Sequence, residues 1–494
     1  MSEALVMVWL AIIGLTTLSP TWGRLPTPAL VSLVIPMGAA TYILSALAML
    51  ASGVSFSTYS ALWLASLAAV ALTATVHRYR SRAGGSIPYS AARVPFGYAV
   101  IGTLIVATIA QNVHLTRLTV DSVRSLLTAQ GLETTGSLEL INRGDLRARH
   151  LVVPLLHTSG VISGRGYVAS ITPLFALSGL GFAAWLALRA FASFGTPQRW
   201  RHWLLLGGGA LVLTTNRILY HAFYVNGHMV FAVYLLIGVG AAWIARRGSM
   251  GTMFLPASLA FAALPALRPE AVVTGLIFLI AVVATVDVSG RLRWALSTPF
   301  IVATVLWYGV LLAPRSFDAD LGLFGSVYGN IVLVAGFAVV LAASHHRLGR
   351  WLLPAAPWLT LAGIVGYVGV NALRNSDLLR TSLAATGVNI AIEGLWGVFW
   401  WIVPLFVLGA VLVTTLPLER MWILPGVTYG VALLAFIYLR NGPYRVGQGD
   451  SGNGMFMHVA FVLVVYVVIA AGHAVAPTGT PETQHTEPAS AASF

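Results

Sequence analysis

An acidic side chain in the longest polar interval is the first candidate for chemistry in this sequence. The interval runs from His114 to Arg165, and Asp121 stands near its start, shortly after an apolar segment. A carboxylate held there could act as a general base that takes a proton from an acceptor hydroxyl, with Asp145 as a second candidate. An ordinary solvated acid on an amphipathic helix would have the same spacing, so the sequence leaves both interpretations open.

The turn Arg268-Pro269-Glu270 is a second candidate, because it joins two closely spaced apolar segments. Ionisable residues at the edge of a membrane are costly unless they pair or face a polar cavity. Arg268 could therefore bind a phosphate while Glu270 holds the guanidinium in position. A helix-hairpin turn with a self-satisfied ion pair is the alternative interpretation.

The polar loop 440–453, which precedes the last apolar segment, is a third candidate. It combines side chains that can hydrogen-bond a sugar or a phosphate with four glycines, which let backbone amides approach a ligand closely. Lysine is absent and the spacing differs from that of a Walker loop. A plain polar loop remains the alternative. The residues predicted to bind substrate here are Tyr444, Arg445, Asp450, Ser451 and Asn453.

His221 and His228 lie in a short stretch that is also rich in tyrosine. A metal site would need more ligands than these two histidines, and the chain has no cysteine to supply them. We interpret the stretch as part of an aromatic belt at a membrane interface.

The composition decides the class of protein that must position these residues. Hydrophobic residues make up 58% of the chain and charged residues 9%, whereas soluble domains carry about a quarter charged residues. Apolar runs of about 16 to 25 residues without strand-like alternation predict membrane-spanning helices. The predicted fold is an all-α, polytopic bundle of about 15 spans in a lipid bilayer.

All 28 basic residues are arginines, and they are scattered over many short loops instead of forming one stripe. No nucleic-acid partner is therefore predicted. The positive-inside rule puts the arginine-rich loops in the cytoplasm and most of the acids outside. We expect an integral, multi-pass plasma membrane protein with its N-terminus outside and its C-terminus in the cytoplasm.

The chain is divided by prediction into three parts. Residues 1–94 form a leading three-helix unit, residues 95–474 form the core that includes the external loop 114–165, and residues 475–494 form a disordered cytoplasmic tail. Two interfacial helices are expected in the loop. One begins at Val120 and can end at Gly131, and the other begins at Asp145 and continues through Leu156.

Three of these features carry a resemblance. A long external loop opening with Asp121, the Arg-Pro-Glu turn at 268–270 and the Gly-Asp-Ser-Gly-Asn sequence at 449–453 resemble bacterial membrane glycosyltransferases of the GT-C type. These are distantly similar to protein mannosyltransferases and lipid A sugar transferases. The resemblance covers roughly residues 95–474. It implies a polyprenyl-phosphate-linked sugar donor, a glycan, lipid or protein acceptor, and Asp121 as catalytic base.

In that reaction Arg268 or Arg445 would stabilise the departing phosphate, and Asp450 and Asn453 would hold sugar hydroxyls. Ser122 stands where such loops often carry a second acid, so a metal is not indicated and no cofactor is predicted. A transporter or flippase of a lipid or lipid-linked sugar is the alternative from another class. A polysaccharide polymerase or ligase is a third possibility. It would also act on the outer face of the membrane and would differ mainly in its acceptor.

Overall fold

The computed structural model describes most of the chain. The described residues are 3–22, 25–82, 103, 116–139, 141, 150–246, 251–285, 289–315, 327–345, 347–413 and 419–477. Three predicted features lie wholly or mostly outside this part of the chain: Asp145, the apolar run 95–113 that predicts a membrane span, and the tail 475–494.

Helices account for nearly all of the described residues, and no strand occurs among them. The all-α prediction is therefore confirmed. In chain order the helices are α1 Glu3–Leu18, α2 Thr27–Ala51, α3 Thr58–Arg82, α4 Val120–Thr135, α5 Val152–Ile162, α6 Ile171–Phe194, α7 Gln198–Thr214, α8 Asn216–Phe223, α9 Gly227–Arg246, α10 Phe254–Ala262, α11 Ala271–Thr285, α12 Gly290–Thr304, α13 Val327–Ala343, α14 Arg347–Arg374, α15 Ser376–Val388, α16 Phe399–Val413, α17 Glu419–Leu439, α18 Ser451–Met455 and α19 Met457–Ala474.

Nine helical segments within the described ranges are long and apolar enough to cross a membrane, and five shorter apolar helices accompany them. The predicted membrane class agrees with these segments. The figure of about 15 spans stays a prediction, because several apolar stretches form helices too short to cross a bilayer alone.

Helices α1 and α2 cross in backbone contact. A Cβ atom on Gly14 would lie 1.9 Å from the carbonyl oxygen of Val34, and one on Gly38 would lie 1.9 Å from that of Leu10. Small residues at a crossing allow two helices in a membrane to approach this closely. Helix α2 also packs against α3 and α6, which places it in the interior of the bundle.

Helix α4 presents an apolar stripe away from the protein. Val120, Val123 and Leu127 are exposed, whereas the small and polar residues Ser122 and Ser125 are buried. The helix continues through Gly131, where the sequence suggested an end, and stops at Gly136, which adopts a left-handed conformation with φ 66°.

The second interfacial helix is not what the sequence suggested. Helix α5 begins at Val152 and is buried from Val152 to Gly160, in contact with α4 and α2. The amides of Leu151 and Val152 both donate to the carbonyl oxygen of Ala266, at 3.0 Å each. The apolar run that looked interfacial is therefore a core helix, whose start is anchored to the turn that carries Arg268.

Candidate functional site

A buried ion pair occupies the turn between α10 and α11. Arg268 Nε donates to Glu270 Oε1 at 2.5 Å, and Arg268 Nη1 donates to Asn226 Oδ1 at 2.9 Å. The Glu270 side chain is 3% exposed and that of Arg268 is 15% exposed. Glu270 and Asn226 thus hold the guanidinium from two sides, and the Arg268 side chain stays partly exposed.

Three buried side chains from three different helices form a chain of polar contacts that begins beside Glu270. His458 Nε2 of α19 lies 3.9 Å from Glu270 Oε1 and 2.9 Å from His228 Nδ1 of α9. His458 Nδ1 lies 3.0 Å from the hydroxyl of Tyr429, which belongs to α17. Phe231 stacks on the His458 ring with a centroid distance of 4.0 Å and so fixes its plane.

The hydrogen bonds of Tyr429 suggest one tautomer for this chain. The Tyr429 hydroxyl donates to the carbonyl oxygen of Met455 at 3.0 Å, so its oxygen can accept from His458 Nδ1. His458 Nε2 is then free to accept from the Nδ1 proton of His228. A shift of protons along the chain would reverse this pattern, so the arrangement can relay a proton.

Helix α8 borders this chain and carries Arg217, Tyr220 and His221. Arg217 Nη1 donates to the carbonyl oxygen of Gln448 at 2.7 Å, which ties α8 to the 440–453 loop. The guanidinium groups of Arg217 and Arg117 lie 5.7 Å and 5.2 Å from the Tyr220 ring centre. Burial raises the pKa of Tyr220, so its phenol stays neutral.

The start of α4 is fixed beside α8 by main-chain and side-chain bonds. The amide of Arg117 donates to the carbonyl oxygen of Phe223 at 2.8 Å, and Ser122 Oγ donates to that of Val225 at 2.9 Å. Asp121 lies in the first turn of α4, between these anchors. Its carboxylate is close enough to Tyr220 to contribute to the raised pKa of that phenol.

Most of the predicted substrate-binding residues of the 440–453 loop are used to build the loop. Asp450 caps α18 by accepting from the amide of Asn453 at 3.1 Å, and it also accepts from the amide of Arg445 at 2.9 Å. Asn453 accepts from Trp396 Nε1 at 2.5 Å. Ser451 accepts from Arg440.

Tyr444 is 3% exposed, and its hydroxyl donates to the carbonyl oxygen of Leu433 at 2.6 Å. Of the five residues predicted in this loop, the side chains of Arg445 and Ser451 are exposed. Side chains already bonded within the protein shape a binding surface instead of contacting a ligand with those same atoms.

Two glycines allow helix α18 to pack closely against the rings of Tyr444 and His228. A Cβ on Gly452 would lie 2.6 Å from the Tyr444 ring, and one on Gly454 would lie 2.6 Å from His228 Nε2. Only a residue without a Cβ allows α18 to pack so closely on both rings. Gly452, one of the four loop glycines seen in the sequence, therefore serves a close approach between protein groups.

Helix α8 and the residues that follow it connect the three regions that the sequence singled out, which are the start of α4, the 440–453 loop and the turn that carries Arg268. The amide of Arg117, just before α4, donates to the carbonyl oxygen of Phe223 in α8, and Arg217 Nη1 donates to that of Gln448 in the loop. Arg268 Nη1 donates to Asn226 Oδ1, three residues beyond the end of α8. Segments far apart in the sequence are thus hydrogen-bonded to one short helix or to the residues that directly follow it. Asp145 lies outside the described residues.

Sequence reasoning missed His458, Tyr429 and Arg217, and it interpreted His228 as part of an aromatic belt. His458 could have been found, because an ionisable residue within an apolar span is a functional candidate by itself. Nothing local marks Arg217, since its partner Gln448 is 231 residues away.

In the part of the chain that the structure describes, no three histidine or acidic side chains are arranged to hold a metal ion. The side chains of Arg268, Glu270, His228 and His458 offer acid–base chemistry, proton relay and anion binding. No protein-family model, curated protein or solved structure matches this chain.

Proposed function

We propose that the chain transfers a sugar from a polyprenyl-phosphate-linked donor to an acceptor hydroxyl on the extracytoplasmic face of the membrane. The observation that carries the proposal is that the start of α4, the 440–453 loop and the Arg268 turn are each hydrogen-bonded to helix α8 or to the residues that follow it. Such a reaction needs a base, a cation and a polar loop at one end of an apolar bundle. All three border one helix here.

In the proposed step Asp121 takes the proton of the acceptor hydroxyl. The acceptor oxygen forms a bond to the anomeric carbon of the sugar, and the bond from that carbon to the phosphate oxygen breaks. The electron pair leaves with the polyprenyl phosphate, whose charge Arg268 stabilises. The exposed apolar stripe of α4 supports this role for Asp121, because it would hold the first turn of the helix at the membrane surface.

Arg268 suits the phosphate because its orientation is fixed before a ligand arrives. Its bonds to Glu270 and Asn226 immobilise the guanidinium, so less side-chain freedom is lost on binding. The exposed Arg445 offers a second cation on the loop, whereas Asp450 and Asn453 are proposed to shape the sugar-binding surface.

An Asp121→Asn variant tests the base. In nanodiscs supplied with radiolabelled polyprenyl-phosphate sugars and membrane acceptors, we expect the transfer rate to fall at least about 100-fold, the usual contribution of a general base. Asp377→Asn is the matched control, because Asp377 is 84% exposed and pairs only weakly with Arg380 at 3.5 Å. Full activity of the Asp121→Asn variant would show that another group takes the proton.

Proton-coupled transport of a lipid-linked sugar is a second candidate, and the chain Tyr429–His458–His228 favours it. All three residues lie within helices long enough to cross a membrane. In proteoliposomes, transport predicts flux of the labelled lipid driven by a pH gradient, and a His458→Gln variant would lose that coupling. Product formation without flux would favour transfer.

A further inference from the structure

Two buried residues of α8 have hydrogen-bonding atoms that no other residue within the described ranges satisfies. Arg217 is 3% exposed and His221 is 1% exposed. Nε of Arg217 and both ring nitrogens of His221 are buried and have no hydrogen-bond partner in the part of the chain that the structure describes. The two residues are four positions apart, so they share one face of the helix. We propose that Arg217 and His221 form a binding site for an oxyanion of the phosphate class.

The surroundings of Arg217 call for an anion. A buried guanidinium is costly unless a counter-ion and hydrogen bonds compensate for the lost hydration. Among the described residues, no carboxylate lies within ion-pair distance of Arg217, and its one hydrogen bond joins Nη1 to a neutral carbonyl of Gln448. An anion is the missing component.

The contact between Arg217 and Tyr220 does not remove this requirement. The guanidinium carbon lies 5.7 Å from the ring centre, so the ring stabilises the charge through its π face. A cation–π contact of this kind leaves N–H groups at the guanidinium edge without acceptors. With Nη1 bonded to Gln448, the edge formed by Nε and Nη2 is the one that can bind two oxygens at once.

His221 supplies a further donor beside that edge. Its ring is packed among Tyr220, Tyr224 and His228, at centroid distances of 5.5, 5.7 and 4.8 Å. Burial, and then the charges of Arg217, His458 and Arg268, lower the pKa of His221 well below its ordinary value. The imidazole is therefore neutral before the anion binds and offers one N–H to an oxygen.

A phosphate-class ligand fits this donor set. The guanidinium edge binds two oxygens, and the imidazole reaches another, which a tetrahedral oxyanion provides and a carboxylate lacks. The oxyanion can be free phosphate or the headgroup of a lipid phosphate. The assignment to a lipid headgroup rests on the proposed glycosyl transfer, whereas the anion site itself does not.

The test measures binding to the full-length protein. The probes are inorganic phosphate in detergent and polyprenyl phosphate in nanodiscs, with neutral polyprenol as the reference lipid. Arg217→Gln removes the guanidinium, and His221→Phe keeps an aromatic ring while removing both nitrogens. We expect each variant to bind polyprenyl phosphate at least about tenfold more weakly, because each loses hydrogen bonds to a charged group.

The controls are Arg380→Gln and His202→Phe, which change exposed residues. Both should bind like the unchanged protein. Should Arg217→Gln fail to fold, His221→Phe decides the outcome, since its ring preserves the packing. Equal affinities for polyprenyl phosphate and polyprenol, without binding of inorganic phosphate, would overturn the proposal, as would folded variants with unchanged affinity for both anions.

Asp121→Asn separates this site from the proposed reaction. It should retain anion binding while transfer is lost. Binding of inorganic phosphate with no preference for the lipid phosphate would support the oxyanion site and overturn its assignment to a lipid headgroup. Anion binding that depends on Arg217 and His221 in a protein without transferase activity would uphold the site and contradict the proposed function.

Discussion

At the scale of single residues, polar atoms inside this bundle are organised into hydrogen-bonded chains. One chain joins Tyr42 to Thr158 at 3.2 Å, Thr158 to Thr58 at 2.6 Å and Thr58 to Glu133 at 2.7 Å. The amide of Thr58 also donates to Glu133 at 3.0 Å. The Thr58 hydroxyl lies within hydrogen-bond distance of both Thr158 and Glu133, so these bonds connect four helices through one acid.

The shifted pKa of Glu133 makes the stability of the folded protein depend on pH. Burial raises this pKa, and the hydrogen bonds from Thr58 offset part of the effect. The folded state therefore holds the Glu133 proton more tightly than the unfolded state does. Its contribution to stability is complete below the ordinary glutamate pKa and is lost as the pH rises through the raised value.

We expect a Glu133→Gln variant to lose this dependence. Relative to that variant, the unchanged protein should be most stable below the ordinary glutamate pKa and should lose stability as the pH rises above it. Midpoints of unfolding in detergent across this range measure the effect. Glu139→Gln, which changes an exposed glutamate of the same segment, should follow the profile of the unchanged protein. A relative stability that rises with pH would contradict the raised pKa.

At the scale of the helices, close contacts at glycine residues determine how the helices pack against one another. The crossing of α1 and α2 at Gly14 and Gly38 is one case, and the packing of α18 at Gly452 and Gly454 is another. Apolar side chains alone specify such crossings poorly within a membrane, because lipid tails are as apolar as leucine. Steric fit at the glycines therefore decides which helices are neighbours.

A Gly38→Ala substitution tests the α1–α2 crossing. The added methyl group would meet the carbonyl oxygen of Leu10, and backbone has to move to relieve the overlap. We expect a loss of about 1–3 kcal/mol in the free energy of unfolding, as for other overpacked sites. Gly363→Ala in α14 is the control, since its Cβ would meet nothing within 4 Å. It should be neutral or stabilise the helix by about 0.5–1 kcal/mol.

Denaturation with a harsh detergent, starting from a mild one, measures both glycine variants. Equal stability of the Gly38→Ala and Gly363→Ala variants would mean that α1 and α2 do not cross in backbone contact.

At the scale of the whole molecule, the candidate site occupies one end of the bundle. The segment Ser451–Ala474 is about 36 Å long at 1.5 Å per residue. Its first residues belong to the 440–453 loop beside α8, whereas near its last turn the carbonyl oxygen of Gly472 accepts from Thr196 Oγ1 at 2.9 Å. The loop and the Thr196 turn therefore lie at opposite ends.

The predicted topology assigns these two ends to opposite sides of the membrane. Because the natural chain has no cysteine, single cysteines can report accessibility without background labelling. We expect Val446→Cys to react with an impermeant maleimide in intact cells, and Arg199→Cys to react only after permeabilisation. Both positions are exposed. The reverse pattern would invert the predicted orientation, and labelling of both from one side would contradict a spanning arrangement.

The sequence by itself determined the helical class of the protein and the Arg268–Glu270 pair. Both depend on local properties, since hydropathy over one segment predicts a helix and a two-residue spacing brings the ion pair together. The same local reasoning extended a helix from Asp145 into Leu151–Leu156, and here it was wrong. Hydropathy alone does not distinguish a helix at a membrane surface from one packed inside a bundle.

Only the tertiary structure decided which distant residues meet. His228 and His458 are 230 positions apart, and Arg217 contacts Gln448 across 231 positions. Almost uniformly apolar helices carry little pattern to show which face meets which neighbour, so these pairings depend on packing at a few small residues. For the same reason the sequence left Asp450 as a sugar-binding candidate, whereas the folded chain uses its carboxylate to cap α18.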